Sequence, residues 1–320
     1  MNFSIPPQRV RSQRGVALLV ALLVVALATV LIAGLLDRGE LTAARTRNQL
    51  RAEQAQAYAQ GLEAYAARVL QQDMDSGSTN DTSSDVWALP LPPTPVPGGQ
   101  IMATMSDLNG RFNLNNLDPK YDTTGDWQRK FVLLLQALKL DRTLAGNIAA
   151  WMSVDPSANP GDAWYLTQPV PYRSAKRDFI HVSELRLIKG IDGDVYTRLA
   201  PYVSALPPGT PINVNTASVP VLMTLSTMMT EEMAQALWQQ GHANYKTLPN
   251  DLTAIQSGLL IDCGSQQPGQ CYSAQSSYFL ARGEITLDGL PFVFYSLIER
   301  RTAGPGGGIR VIQRSRGADG

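Results

Sequence analysis

Few side chains in this sequence are of types that do chemistry, and their spacing limits what that chemistry is. The only two cysteines, Cys263 and Cys271, are separated by Gly-Ser-Gln-Gln-Pro-Gly-Gln. Such a pair suits a small disulfide-closed loop in an oxidising compartment and two free thiols in a reducing one. The two histidines, His181 and His242, lack zinc-ligand spacing to the cysteines and have no Cys or Asp partner in a familiar catalytic order. Both are read as packed or surface residues. No Gly-x-Ser-x-Gly, His-Glu-x-x-His or phosphate-loop pattern occurs. Asp118, Asp122 and Asp126 form an acidic loop, read as solvated. An enzyme is not expected from this inventory.

Composition narrows the class further. The 320 residues carry 27 basic and 27 acidic side chains, so the formal charge is zero. Proteins whose main work is gripping nucleic acid usually show a basic excess, so no nucleic-acid partner is expected. Hydrophobic residues make up 44%, enough for a real core, while 26 Gly and 21 Pro imply many loops.

The elements that position these residues begin with an apolar run. Val16 to Leu36 is uncharged, long enough to cross a bilayer core as a helix. Arg9, Arg11 and Arg14 precede it, and only Arg38 lies close behind, so the leader side is expected in the cytoplasm and the bulk of the chain on the far side. The junction Arg-Gly-Val-Ala-Leu-Leu-Val resembles a type IV prepilin signal. That resemblance implies cleavage after Gly15 by a prepilin peptidase and an N-methylated Val16. Pilin-like proteins usually carry glutamate at the fifth mature residue, and here that position is Val20. A carboxylate buried among apolar helices needs a partner, and the resemblance implies that this partner is the terminal amine of the next subunit toward the tip. A subunit with nothing above it can dispense with the acid. From Leu41 to Gln72 the sequence has no Pro, and Leu50, Ala57, Leu62, Tyr65, Val69 and Leu70 make a one-sided stripe. One helix of about 55 residues is expected over both parts.

Residues 73–100 read as a linker whose composition cannot pack a core. Asn109-Gly110 between apolar-alternating flanks is a hairpin signal. Helical periodicity follows, with Trp127–Leu140 and Leu144–Met152 as amphipathic helices. The segments from Val182 and from Asn215 share a helix–turn–helix outline and are read as a degenerate repeat of two helical hairpins. Strands return in Tyr278–Leu287 and Leu290–Arg300 around the turn Asp288-Gly289, with Ile309–Arg314 as an edge strand. The sum is an α+β fold with an inserted all-α domain.

Gly-Arg-Phe-Asn-Leu-Asn-Asn-Leu (110–117), Pro171-Tyr-Arg, Val182-Ser-Glu-Leu-Arg, Pro211-Ile-Asn-Val-Asn-Thr-Ala, the leader and the terminal hairpin together resemble the large minor pseudopilins of type II secretion systems, the K class (GspK/XcpX-like). The likeness runs in order from about Gly15 to Arg301, and the missing glutamate at Val20 is a mark of that class. It implies a pilin-like fold: leader 1–15, membrane part 16–36, periplasmic helix 37–72, linker and first strands 73–118, inserted helical domain 119–240 and the rest of the pilin domain 241–320. It further implies a non-enzymatic, single-pass inner-membrane protein with its C-terminal domain in the periplasm, at the tip of a short fibre. Its partners would be I-class and J-class minor pseudopilins, the major pseudopilin, secreted substrates and the secretin. An oxidising periplasm favours a Cys263–Cys271 disulfide. Family members can carry calcium in the helical domain, and Asp155, Asn159 and Asp162 fall at or near those positions, though Ser153 and Gly161 replace two acids. Calcium wants six to eight oxygen ligands, so a weakened site or a plain acidic loop are both open. A membrane-anchored DNA-uptake receptor with helical hairpins is the alternative.

Overall fold

The computed structural model describes residues 14–155, 162–255, 259–266, 268–301 and 307–317. The chain falls into two units, divided after Gln56.

Helix α1 runs over Arg14–Asp75, 62 residues without a proline. It is somewhat longer than expected and closes at Gly77, whose φ of 75° supplies the left-handed C-terminal turn. Strands β1 (Leu91–Val96), β2 (Gly99–Asp107) and β3 (Phe112–Asn113) follow. Next come α2 (Asp126–Ala137), α3 (Leu144–Met152), α4 (Asp162–Leu166) and α5 (Gly193–Leu199). Strands β4 (Val203–Ser204) and β5 (Ile212–Asn213) lead to α6 (Val219–Leu222), α7 (Glu231–Trp238), α8 (Asn250–Ile255) and α9 (Pro268–Cys271). Strands β6 (Tyr272–Ser273), β7 (Tyr278–Leu287), β8 (Leu290–Arg301) and β9 (Gly308–Arg316) complete the chain.

The main sheet is antiparallel in the order β1-β2-β7-β8-β9. Asp288-Gly289, with φ of 47° and 79°, joins β7 to β8 as a tight hairpin turn, as its composition predicts. Asn109-Gly110 makes no hairpin. The first hairpin instead turns at Pro97-Gly98, and β3 leaves the sheet to pair in parallel with β4. Gly110 is needed for close approach: a Cβ there would meet Thr216 Oγ1 at 2.6 Å.

One face of the sheet packs on α1. Ala66 and Leu70 join Trp87, Phe279 and Ile298 in one buried cluster, and Gly283 leaves room for Leu62, whose Cδ1 would stand 3.0 Å from a Cβ. Tyr65, expected in the buried stripe, is half exposed. The segment 73–100 is no linker. It continues α1, buries Asn80, Asp81, Thr82 and Trp87, and supplies β1. Its own composition is polar because the apolar surface that it covers comes from the helix and the sheet.

The second core is helical and runs from Phe112 to Tyr272, centred on Phe112, Trp127, Phe131, Leu134 and Ile148. Each such side chain contributes about 2–3 kcal/mol on burial. Ala243, Tyr245, Leu252 and Tyr272 belong to it, so the helical unit is wider at both ends than the expected 119–240.

This core contains a repeat, different from the one expected. Phe112-Asn113-Leu114-Asn115 and Ile212-Asn213-Val214-Asn215 are both fully buried. In each, the first Asn side chain accepts the main-chain N–H two residues on. The second Asn clamps two distant strands of chain. Asn115 donates to Phe179 O and Leu206 O, both at 2.9 Å, and accepts from Phe179 N at 2.7 Å. Asn215 donates to Tyr245 O at 3.1 Å and Ala274 O at 3.4 Å, and accepts from Tyr245 N at 2.7 Å. β3 with β4 and β5 with β6 are the matching two-stranded parallel pairs. The segment from Val182 therefore corresponds to the region of α8 and α9, and not to the segment from Asn215.

Candidate functional site

Three places bear on function: the apolar helix, the junction between sheet and helical unit, and the loops of the helical unit. In the first unit every residue of 16–36 is exposed, and α1 is long and apolar enough to cross a membrane. A helix apolar on all sides requires lipid or other helices around it. Gly15 and Val16 lie in its first turn, and Val20, 53% exposed, brings no charge to that surface.

The junction is built from buried polar groups that sequence reading missed. Asp107 at the end of β2 accepts hydrogen bonds from Ser276 Oγ and Thr216 Oγ1 at 2.5 Å, Asn109 N at 2.7 Å and Asn213 Nδ2 at 3.1 Å. Burial pushes its carboxyl up, and the hydrogen bonds oppose that rise. Arg300 of β8 pairs with Asp73 at 2.7 Å and with Asp81, donates to Ser276 O, and lies over the Phe279 ring. Asp81 also accepts Ser276 N. Removing one member of such a buried pair costs about 3–5 kcal/mol. The network draws on α1, one end of the sheet and the second Asn turn, so it fixes the helical unit to the sheet in one register.

The loops separate the remaining expected residues. Asp162 at the start of α4 accepts from Ser174 N at 3.1 Å and Ser174 Oγ at 2.8 Å, and it pairs with Lys176 at 3.3 Å and Arg173 at 3.8 Å. The Ser174 hydrogen bonds and the Lys176 charge hold its carboxyl below the usual range. Asp155 is exposed, with its N–H on Ser153 Oγ, and Asn159 lies outside the described residues. Among the described residues no group of three or more His, Cys, Asp or Glu is placed to hold a metal. With an ammonium group already on Asp162, the described residues do not fit a calcium cage.

Cys263 and Cys271 are joined in a disulfide. The loop it closes docks on α2: Ser265 donates twice to Asp126. Burial alone would raise the Asp126 carboxyl, but the bonds from Ser265 and Thr124 and the Arg129 charge hold it at about 2. Lys130, one turn on, is buried and donates to the carbonyls of Asp262 and Thr224. Burial pulls its ammonium down to about 8. The acidic loop is thus not solvated: Asp122 caps α2 through the N–H groups of Trp127 and Gln128, and Asp118 and Asp126 are buried. His181 caps a 3-10 turn at 182–187, its Nδ1 accepting Ser183 N while Glu184 accepts His181 N; His242 is exposed.

A family model described as type II secretion system (T2SS), protein K, matches residues 110–208, the span of the first Asn-turn copy. Type II secretion system protein K of Pseudomonas aeruginosa is 36% identical, the match covering 97% of this chain and 95% of that protein. The protein of the same name from Pectobacterium carotovorum is 33% identical over 95% of this chain and 97% of its own length. Among solved structures, a chain of the GspK-GspI-GspJ complex of enterotoxigenic Escherichia coli matches with a TM-score of 0.70 and 27% identity, over 86% of this chain and 99% of that one. Sequence and fold agree, and the chain belongs to the type II secretion system protein K family.

Proposed function

We propose that this chain is a non-enzymatic minor pseudopilin that stands at the tip of the periplasmic fibre of a type II secretion system and starts its assembly with I-class and J-class partners. The observation that carries the reading is Val20. An apolar helix that must pack among others, yet brings no carboxylate to accept a neighbour's terminal amine, suits the one subunit with no neighbour above it. The helical unit from Phe112 to Tyr272, set between strands of the sheet, supports the same place, because a bulky insert is tolerated most easily at a fibre's end. The solved relative that stands in a complex with GspI and GspJ supports the choice of partners.

Within this reading, prepilin peptidase cleaves after Gly15, Val16 becomes the methylated first residue, and residues 16–36 serve first as an inner-membrane span and then as fibre packing. In the helical unit Lys176 supplies to Asp162 a positive charge of the kind that a bound cation would bring. The test is co-purification of the full chain with its I-class and J-class partners from detergent-solubilised membranes. A stable heteromeric complex with Val16 as N-terminus is expected; a chain that elutes alone, or keeps its leader, contradicts the proposal.

A further inference from the structure

The two edges of the main sheet are treated differently. β1 carries Pro92, Pro93 and Pro95, which have no N–H to offer and so blunt that edge against pairing. β9 has no proline from Gly308 to Arg316. It is interrupted once, where the register skips Ile312 between Leu297↔Gln313 and Ile298↔Val311, so a bulge limits the open stretch to its last residues.

The ladder sets which groups are open. Gly317 N donates to Val293 O at 2.9 Å, and the pairs Tyr295↔Ser315 and Leu297↔Gln313 follow in the same phase. In an antiparallel ladder the residues between them, Arg314 and Arg316, then turn their N–H and C=O groups away from β8. Their side chains lie on the face covered by α1: Arg314 grips Glu63 at 2.7 Å, and Arg316 lies 5.6 Å from the Phe292 and Phe294 rings. Gln313 and Ser315 point to the other face.

On that other face a groove of about 340 Å3 opens between the sheet and the helical unit. Leu280, Leu297 and Tyr295 form its sheet wall, and Ile180, Ala200 and Pro201 face them. Gln313 and Ser315 line it beside the open edge. At its inner side Ser204 is 2% exposed, and among the described residues its hydroxyl has no hydrogen-bond partner. The described lining includes Arg111 and His181 and no carboxylate, and on the opposite face of the same edge Arg316 stands exposed beside Arg314, which is paired with Glu63.

We propose that this edge and groove together bind an extended segment of another protein, which adds as a strand beside Arg314–Arg316, sends aliphatic side chains on one of its faces into the groove and presents carboxylates on the other to the arginines. Strand addition explains why one edge is open while the other is closed by prolines, and the groove supplies the specificity that main-chain pairing lacks. The open stretch is short, so the affinity is modest and the contact reversible. The proposal does not rest on a place in the fibre, since every group it uses lies in the unit that follows Gln56.

The test uses the full chain in detergent and the fluorescein-labelled peptide acetyl-Glu-Val-Glu-Leu-Glu-Val-amide, read by fluorescence anisotropy. Saturable binding is expected, weakened by about tenfold when alternate peptide nitrogens are methylated, the loss of one or two hydrogen bonds. Arg316→Pro, which removes an outward N–H at an edge where proline is tolerated, should weaken it to a similar degree. Thr197→Trp, at an exposed position on the groove rim, should block it. Circular dichroism identifies any variant that fails to fold, and the methylated peptide tests pairing without altering the protein. No saturable binding, binding indifferent to methylation and to Arg316→Pro, or a homodimer that Arg316→Pro abolishes would each overturn the proposal.

Discussion

The two copies of the Asn turn in the helical unit use the same clamp and different fastenings. In the first, Asn115 holds Phe179 and Leu206, and the chain leading to Phe179 is braced by Asp162 with Ser174 and Lys176. In the second, Asn215 holds Tyr245 and Ala274, and the chain between those two is braced by the Cys263–Cys271 disulfide and by Lys130 from α2. The shared part is buried and serves the hydrophobic core. The unshared part is where each copy solved the ordering of its own loop, once with charge and once with a covalent bond.

If the clamps are equivalent, breaking either should have the largest effect of all. Asn115→Leu or Asn215→Leu each strands three buried hydrogen-bonding groups, at about 1–3 kcal/mol apiece. Losses of about 3–5 kcal/mol are expected for both in denaturant unfolding of the full chain in detergent, large against total stabilities of about 5–15 kcal/mol. A small loss in one copy alone would break the equivalence. The next effect belongs to the second copy only. Replacing Cys263 and Cys271 by Ser frees a short loop and should cost about 2–3 kcal/mol, with the same loss in wild type under reductant.

Lys130 sharpens the comparison through pH. Its folded-state value of about 8 lies below the ordinary 10.5, so between these limits the unfolded chain holds more protons and stability rises with pH. Relative to Lys130→Met, the wild type should gain about 1 kcal/mol per pH unit from pH 8 to 9.5. A flat difference would mean that the ammonium is not desolvated. The smallest effect is at the first copy's brace. Lys176 is partly exposed, so Lys176→Met should cost about 0.5–1 kcal/mol, and melting of the wild type should be the same in EDTA as in calcium.

Much of this was legible in the sequence, and the failures share a cause. Helix Leu144–Met152 and the hairpin at Asp288-Gly289 follow from local periodicity and turn chemistry, and the structure has them at those residues. The disulfide was legible too, once the topology implied an oxidising compartment. Residues 73–100 were misread because what buries Trp87 is surface contributed by α1 and β7, invisible to composition. Gly110 was misread as a turn because its constraint comes from Thr216, far along the chain. The repeat is carried by the pair of Asn-x-Asn turns at 113–115 and 213–215, whose meaning lies in distant backbone partners that helix outlines do not carry. At the junction, Asp107 and Arg300 look like ordinary strand residues until the fold assembles their partners.

The most direct test of the account is the position of this chain in assembled fibres, read by gold labelling of an epitope on the exposed turn at Asp288-Gly289. The account predicts a single label at one end of each fibre, lost when the I-class or J-class partner is absent. Labels spaced along the fibre shaft would contradict it.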